Sequence, residues 1–373
     1  MTKDFIKRNR VYIALLCFII LANVLPRIIE KSEPIYGTLT EETVKPKVDE
    51  RGGTFVDFRE AAERSKKLEG VLKGSRPLYF FYVFLNLAIV FLFLLGLAVD
   101  GYFLFKKSRR EKIFEKHAPS NPPPWEIGDI CKIAILTLTA GYIFFAAFSF
   151  FTGVLESLLE VKFQFYDNEN FRMVFDTIIL DAIVFLVILG FLRRGYKKSL
   201  PDLGFSGKNL RKNILYGVAG YLALIPVIVA IGIVVYVILN FLKITPPPQP
   251  IVGLFLAESN TGLIYVSSII AVFFGPVIEE IFFRGVMYNA VKRKIGVFWG
   301  ITITSVLFSF LHTHAVTYFL VGFLPIAILG AALAYLYEKT GSLIPSITLH
   351  VLNNVGSVIM VFTFKYFNSL TGS

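Results

Sequence analysis

The most informative stretch of this chain reads Gly275-Pro276-Val277-Ile278-Glu279-Glu280-Ile281-Phe282-Phe283-Arg284-Gly285. Two neighbouring carboxylates and an arginine lie here in a run that otherwise consists mainly of Val, Ile and Phe. A charged side chain at the centre of a membrane helix costs about 2.5–3.5 kcal/mol even on the lenient insertion scale. Three charges in so short a segment therefore indicate a functional site within the membrane.

The sequence around this stretch predicts an integral membrane protein. Of its 373 residues, 55% are hydrophobic and 17% are charged, whereas a soluble domain carries about 25% charged residues. Apolar runs of about 20 residues recur along the chain, which is typical of membrane-spanning helices. We therefore predict an all-α fold, a polytopic transmembrane helical bundle of about eight to nine spans with its catalytic core in the C-terminal half.

Nine apolar segments are predicted to span the membrane, at roughly 11–29, 78–105, 130–155, 173–192, 214–242, 263–291, 298–311, 319–337 and 343–364. Residues 1–200 are predicted to form an N-terminal membrane region of about four spans. This region includes an extracytoplasmic loop at 31–76, with a short amphipathic helix around Asp57 to Leu72. Residues 201–373 are predicted to form the catalytic region.

The distribution of charge predicts the orientation in the membrane. The net charge is +11, but the basic residues cluster at the ends of apolar segments, as the positive-inside rule requires. With a cytoplasmic N-terminus, the basic clusters at 106–110, 193–198, 208–212 and 292–294 all face the cytoplasm, and the acidic loop 156–169 faces outwards. This pattern favours a multi-pass protein of the cell membrane, surrounded by lipid, over a nucleic-acid-binding protein. It carries no indication of an oligomeric state.

Helix geometry separates the three charges of the first stretch. Residues four apart lie on one face of a helix, so Glu280 and Arg284 are predicted to form an ion pair. Glu279 is rotated by about 100° from its neighbour and has no local partner. We therefore expect the pair to be structural and Glu279 to be available for chemistry.

Further polar residues follow within later apolar segments. His312 ends the segment at 298–311, and His350 lies in the last segment with Asn354 one turn after it on the same face. A carboxylate and an imidazole can orient a water molecule and remove its proton, while an imidazole and an amide can stabilise an oxyanion. These residues together predict hydrolytic chemistry, although a lone histidine in a helix is more often a packing residue.

Two alternatives remain open at this point. Glu279, His312 and His350 also form a donor set for zinc, although no His-Glu-x-x-His motif is present. The buried charges also suit a transporter or a non-catalytic membrane scaffold, but the sequence shows no convincing inverted repeat. Cys17 and Cys131 lie in or beside predicted spans, so neither a disulfide framework nor a thiolate metal site is predicted.

Three motifs, Glu279-Glu280-x-x-x-Arg284, Phe308-x-x-x-His312 and His350-x-x-x-Asn354, resemble those of the CAAX prenyl protease 2-like and bacteriocin-processing (CPBP, or Abi) family. The resemblance covers roughly residues 200–373. Members of this family are intramembrane glutamic endopeptidases, so the resemblance implies a peptidase without a metal or other cofactor.

The resemblance also implies a role for each motif residue. Glu279 would activate water with help from His312, and His350 and Asn354 would stabilise the oxyanion. Glu280 and Arg284 would support the site, and Phe308 would be a packing or substrate-contact residue. The implied partner is a membrane-associated peptide or protein substrate, of which a prenylated CAAX-type peptide is one candidate.

Overall fold

The computed structural model describes residues 9–19, 58–105, 123–242, 249–313 and 316–371. Besides two 3₁₀ helices at Gln164–Asp167 and Leu200–Leu203, eleven longer helices lie in these ranges: α1 (Asn9–Ile19), α2 (Phe58–Gly74), α3 (Arg76–Phe105), α4 (Ile127–Leu159), α5 (Glu169–Gly190), α6 (Leu210–Leu242), α7 (Pro250–Ala257), α8 (261–295), α9 (297–311), α10 (Val316–Thr340) and α11 (Leu343–Thr371). No strand occurs within the described ranges. The all-α prediction is confirmed.

Seven of the helical segments in the described ranges are long and apolar enough to cross a membrane. The longest, Thr261–Leu311, has 51 residues and bends at Gly296, where φ is 87° and ψ is 173°. Because a side chain disfavours this positive φ, Gly296 permits the change of direction that separates α8 from α9. The predicted span at 11–29 is described only as far as Ile19, and the basic cluster at 106–110 lies outside the described residues.

The described helices group into two compact units. Helices α1, α4 and α5 belong to the first, and α2, α3 and α6–α11 belong to the second. Although α3 lies early in the chain, it packs closely against α6, so sequence position alone does not decide its partners. The division into domains near residue 200 stays a prediction.

Two further helices, α2 and α7, are shorter than the membrane-spanning ones. Helix α2 confirms the amphipathic helix predicted around 57–72, and residues 31–57 of the predicted loop lie outside the described residues. Helix α7 is held at its C-terminal end by Lys365 of α11, whose Nζ donates to the carbonyl oxygens of Phe255 and Glu258 at 2.9 and 2.7 Å. A cation at this position complements the negative end of the helix dipole.

Helix α8 departs from regular α-helical geometry on both sides of the two acids. A π-helical turn at Ile270–Phe274 precedes the α-helical Gly275–Glu280, and a second π-helical stretch follows at Ile281–Tyr288. Such bulges free backbone carbonyls and occur frequently at functional sites. In the second bulge, Asn289 Nδ2 donates to the carbonyl of Gly285 at 2.8 Å and so satisfies one of them.

Close contact between α6 and α11 positions the helix that carries His350. The two helices meet around a leucine core shared with α10, formed by Leu224, Leu329, Leu333, Leu336 and Leu349. At Gly217 the helices are so close that an added Cβ would lie 2.5 Å from Thr348 Cβ and 2.6 Å from the Pro345 carbonyl oxygen.

We expect Gly217→Ala to destabilise the protein by about 1–3 kcal/mol, the usual cost of overpacking. The matched control is Gly232→Ala on the same helix, where nothing lies within 4 Å of an added Cβ. This control should leave the melting temperature in detergent unchanged or slightly raised. Equal melting temperatures for the two variants would show that α6 and α11 do not pack as described.

Candidate active site

The structure brings the predicted site residues together from three helices. Helix α8 carries Glu279, Glu280 and Arg284, and α11 carries His350 and Asn354. Helix α9 carries Phe308, and His312 follows directly after its last residue. Direct contacts between these side chains, described below, join the three helices.

Glu280 and Arg284 form the predicted ion pair. Arg284 Nη1 donates to Glu280 Oε1 at 2.7 Å, and the two side chains are 1% and 0% exposed. Arg284 Nη2 donates to the Gly330 carbonyl oxygen of α10 at 3.1 Å. An added Cβ at Gly330 would lie 3.1 Å from Ser305 Cα, so this glycine lets α9 and α10 approach closely beside the arginine.

Glu280 also holds His350, a contact that the sequence did not predict. His350 Nδ1 lies 2.9 Å from Glu280 Oε1, and the imidazole is 4% exposed. Because an ionised carboxylate only accepts hydrogen bonds, Nδ1 is the protonated nitrogen. The other nitrogen, Nε2, lies on the opposite side of the ring and faces Glu279, 3.8 Å from its Oε2.

Glu279 faces both histidines. Its Oε2 lies 3.8 Å from Nε2 of His312 and 3.8 Å from Nε2 of His350. This oxygen is buried and accepts no hydrogen bond from the described residues, yet the side chain as a whole is 30% exposed. A buried carboxylate oxygen without a donor is costly. Glu280 Oε2 and Arg284 Nε also have no partner among the described residues, so what distinguishes Glu279 is its position between the two imidazoles.

The tautomer of His312 completes the arrangement. Its Nδ1 donates to the Phe308 carbonyl oxygen at 2.8 Å, since a carbonyl only accepts, so Nε2 of the neutral ring is an acceptor. Glu279 Oε2 and the two Nε2 atoms are then three converging acceptors. A water oxygen about 2.8 Å from each of two such atoms fits a separation of 3.8 Å. The arrangement can orient water and receive its proton.

Zinc fits this donor set less well. Ligand atoms in a tetrahedral zinc site lie about 3.3–3.6 Å apart, given metal–ligand distances of about 2.0–2.2 Å. Both separations from Glu279 Oε2 are 3.8 Å. In the part of the chain that the structure describes, no group of three or more His, Cys, Asp or Glu side chains is arranged to hold a metal ion.

Phe308 is a packing residue of the site. Its side chain is 1% exposed, which leaves no surface for a substrate. Its ring centroid lies 4.7 Å from Arg284 Cζ, 4.5 Å from the His312 ring and 5.7 Å from the His350 ring. Phe308 therefore packs against the arginine and both imidazole rings.

Asn354 contacts the backbone of α8. Its Nδ2 donates to the Ala271 carbonyl oxygen at 2.8 Å, and its Oδ1 accepts from Asn353 Nδ2 at 3.3 Å. An asparagine amide has two N–H donors, so one remains for another acceptor. The sequence placed Asn354 on the same face as His350 but gave no indication of its backbone partner.

Two comparisons with known proteins match the part of the chain that carries these residues. Residues 260–356 match the family model "Type II CAAX prenyl endopeptidase Rce1-like". The chain is also 31% identical over 173 residues to the "Putative membrane peptidase YdiL" of Bacillus subtilis (strain 168). This match covers 45% of the chain and 61% of the relative. No solved structure matches the chain.

All three motifs lie within the matched range, and the apolar helices fit a membrane protein. The prediction of an integral membrane protein is therefore confirmed, and so is the resemblance drawn from the motifs. Residues 260–356 are therefore similar to the Rce1-like type II CAAX prenyl endopeptidases, and this similarity covers the part of the chain that carries all three motifs.

Proposed function

We propose that this protein is a metal-independent intramembrane endopeptidase in which Glu279 is the general base. One observation carries the proposal: the buried Glu279 Oε2 has no donor among the described residues and lies 3.8 Å from Nε2 of both His312 and His350. A carboxylate beside the acceptor Nε2 of His312 is suited to bind and deprotonate a water molecule.

In the proposed reaction, Glu279 takes a proton from water while the water oxygen bonds to the carbonyl carbon of the scissile peptide. The carbonyl oxygen becomes an oxyanion as its π bond breaks. The proton held by Glu279 then passes to the leaving nitrogen, the C–N bond breaks, and Glu279 returns to its ionised form. One water molecule and one peptide bond yield a carboxylic acid and an amine.

The two histidines and Asn354 are proposed to position the water and to stabilise the oxyanion. His312, whose side chain is 34% exposed, accepts a hydrogen bond from the attacking water at Nε2. His350 is proposed to take up a proton from solvent before the reaction, so that Nδ1 still donates to Glu280 while Nε2 changes from an acceptor to a donor for the oxyanion. Asn354 contributes its remaining N–H. The loss of one oxyanion donor typically costs about 10²–10³-fold in rate.

The proposed substrate is a membrane-associated peptide or protein. Glu279, His312 and His350 lie in apolar helices, so a substrate reaches them from the lipid or from its surface. The description of the matched family makes a prenylated CAAX-type peptide the first substrate to assay. The proposed orientation has a cytoplasmic N-terminus in the cell membrane, in accordance with the positive-inside rule.

The proposal is tested with purified protein in detergent, a library of quenched fluorescent peptides with and without a prenyl group, and the chelator 1,10-phenanthroline. We expect cleavage of some peptide at an unchanged rate with the chelator. Loss of cleavage that added zinc restores would favour the zinc-dependent peptidase. If the library and a comparison of membrane-peptide C-termini between wild-type and Glu279→Ala cells both reveal no cleavage, the transporter or scaffold is favoured.

A further inference from the structure

The carbonyl oxygen of Ala271 has lost its backbone donors. In the first π-helical turn, the N–H of Gly275 donates to Ile270, so it does not serve Ala271. The next residue, Pro276, has no N–H. Ala271 is partly buried in an apolar helix, where a backbone carbonyl without a donor is destabilising, and the neighbouring residues of α8 supply no donor.

Asn354 of α11 supplies the missing donor from its Nδ2, at 2.8 Å from the Ala271 oxygen. The Asn354 Oδ1 accepts from Asn353 Nδ2 at 3.3 Å, which fixes the orientation of the amide. A residue that is 83 positions away in the sequence thus replaces the hydrogen bond that the proline removes.

This hydrogen bond lies beside Glu279. Pro276 is three residues before Glu279, in the same α-helical turn. An added Cβ at Gly275 would lie 3.8 Å from Glu279 Oε1, so the carboxylate folds back along the turn that follows Ala271. Any movement of that turn changes the distances from Glu279 to the two histidines.

We propose that Asn354 is a positioning residue for Glu279, acting through the carbonyl that Pro276 leaves without a donor. This inference rests on the proposed function, because it assigns Glu279 as the base. One amide hydrogen of Asn354 holds the turn of α8, and the other remains for the oxyanion. The asparagine thus fixes the base on α8 relative to His350, one turn away on α11.

A double-mutant cycle between Asn354→Leu and Pro276→Ala tests the proposal. Alanine restores an N–H at position 276, so the Ala271 carbonyl regains a backbone donor and depends less on Asn354. We expect Asn354→Leu to lower kcat in both backgrounds and to leave KM unchanged. The fold reduction in kcat should be about 3- to 10-fold smaller in the Pro276→Ala background than in the wild type. The kcat is taken per mole of folded protein from the gel-filtration peak.

The control is Ser357→Ala, which removes a hydroxyl that donates to the Asn353 carbonyl oxygen of the same helix and should have the same effect in both backgrounds. Equal kcat losses on Asn354→Leu in the two backgrounds would overturn the proposal and leave Asn354 as an oxyanion donor alone. A second cycle uses the melting temperature in detergent, which needs no activity. There, Asn354→Leu should lower the melting temperature less when residue 276 is alanine, and equal shifts contradict the proposal even if no peptidase activity exists.

Discussion

Peptide hydrolysis should fall by about 10²–10⁴-fold when Glu279 is replaced by glutamine, the usual contribution of a general base. Glutamine has nearly the same size and shape as glutamate, but its amide does not take up the proton of the attacking water. The measurement is kcat/KM on a peptide that the wild-type protein cleaves in detergent. KM should change little, because the substitution removes an interaction made mainly in the transition state.

The same variant should not be less stable than the wild type. Since Glu279 Oε2 is a buried oxygen without a donor among the described residues, removing its charge removes a cost rather than a favourable contact. We therefore expect the melting temperature of Glu279→Gln to be equal or higher. A large loss of stability would show that Glu279 supports the fold. Unchanged cleavage would show that another group activates water.

The local part of the site could be predicted from the sequence. The spacing of Glu280 and Arg284 predicted their ion pair, and the structure confirms it at 2.7 Å. The same helix geometry separated Glu279 from this pair. Such predictions succeed because residues four apart on a helix are neighbours whatever the rest of the fold does.

The contacts between helices could not be predicted in this way. The hydrogen bond between Glu280 and His350 joins residues 70 positions apart, and no spacing rule relates them. The π-helical turn at 270–274 was also missed, because its apolar sequence is equally compatible with an α-helix. Pro276 was the one available signal, since a proline inside a helix frees a carbonyl, but the sequence did not identify Asn354 as the donor.

For the fold as well, the individual helices could be predicted from the sequence, but their packing partners could not. Apolar length predicted most membrane helices, because about 20 apolar residues are what a bilayer requires. The close packing of α3 with α6 depends on Gly96, where an added Cβ would lie 2.4 Å from the Leu222 carbonyl oxygen. A glycine in an apolar helix is too common a feature to indicate which partner helix it meets.

The largest effect on stability is expected for Arg284→Met. Removing one member of a buried ion pair costs about 3–5 kcal/mol, because the remaining charge is left without compensation. Glu280 would then keep only His350 Nδ1 as a partner, within a site where its side chain is 0% exposed. We expect a large drop in melting temperature in detergent and a lower yield of folded protein. The exposed pair of Glu69 and Lys73 has the same spacing, so Lys73→Met is the matched control and should leave the melting temperature unchanged.

The double variant Glu280→Gln/Arg284→Met distinguishes the cost of the unpaired carboxylate from the cost of losing the arginine's other contacts. It removes both charges, while the glutamine keeps a carbonyl oxygen that accepts from His350 Nδ1. If the cost of Arg284→Met comes from the unpaired carboxylate, the double variant should recover most of the lost stability. If the double variant is as unstable as the single one, the arginine acts through its contacts with Phe308 and Gly330 instead. Recovery of stability without recovery of cleavage would show that the ion pair stabilises the membrane core and also orients His350 for the reaction.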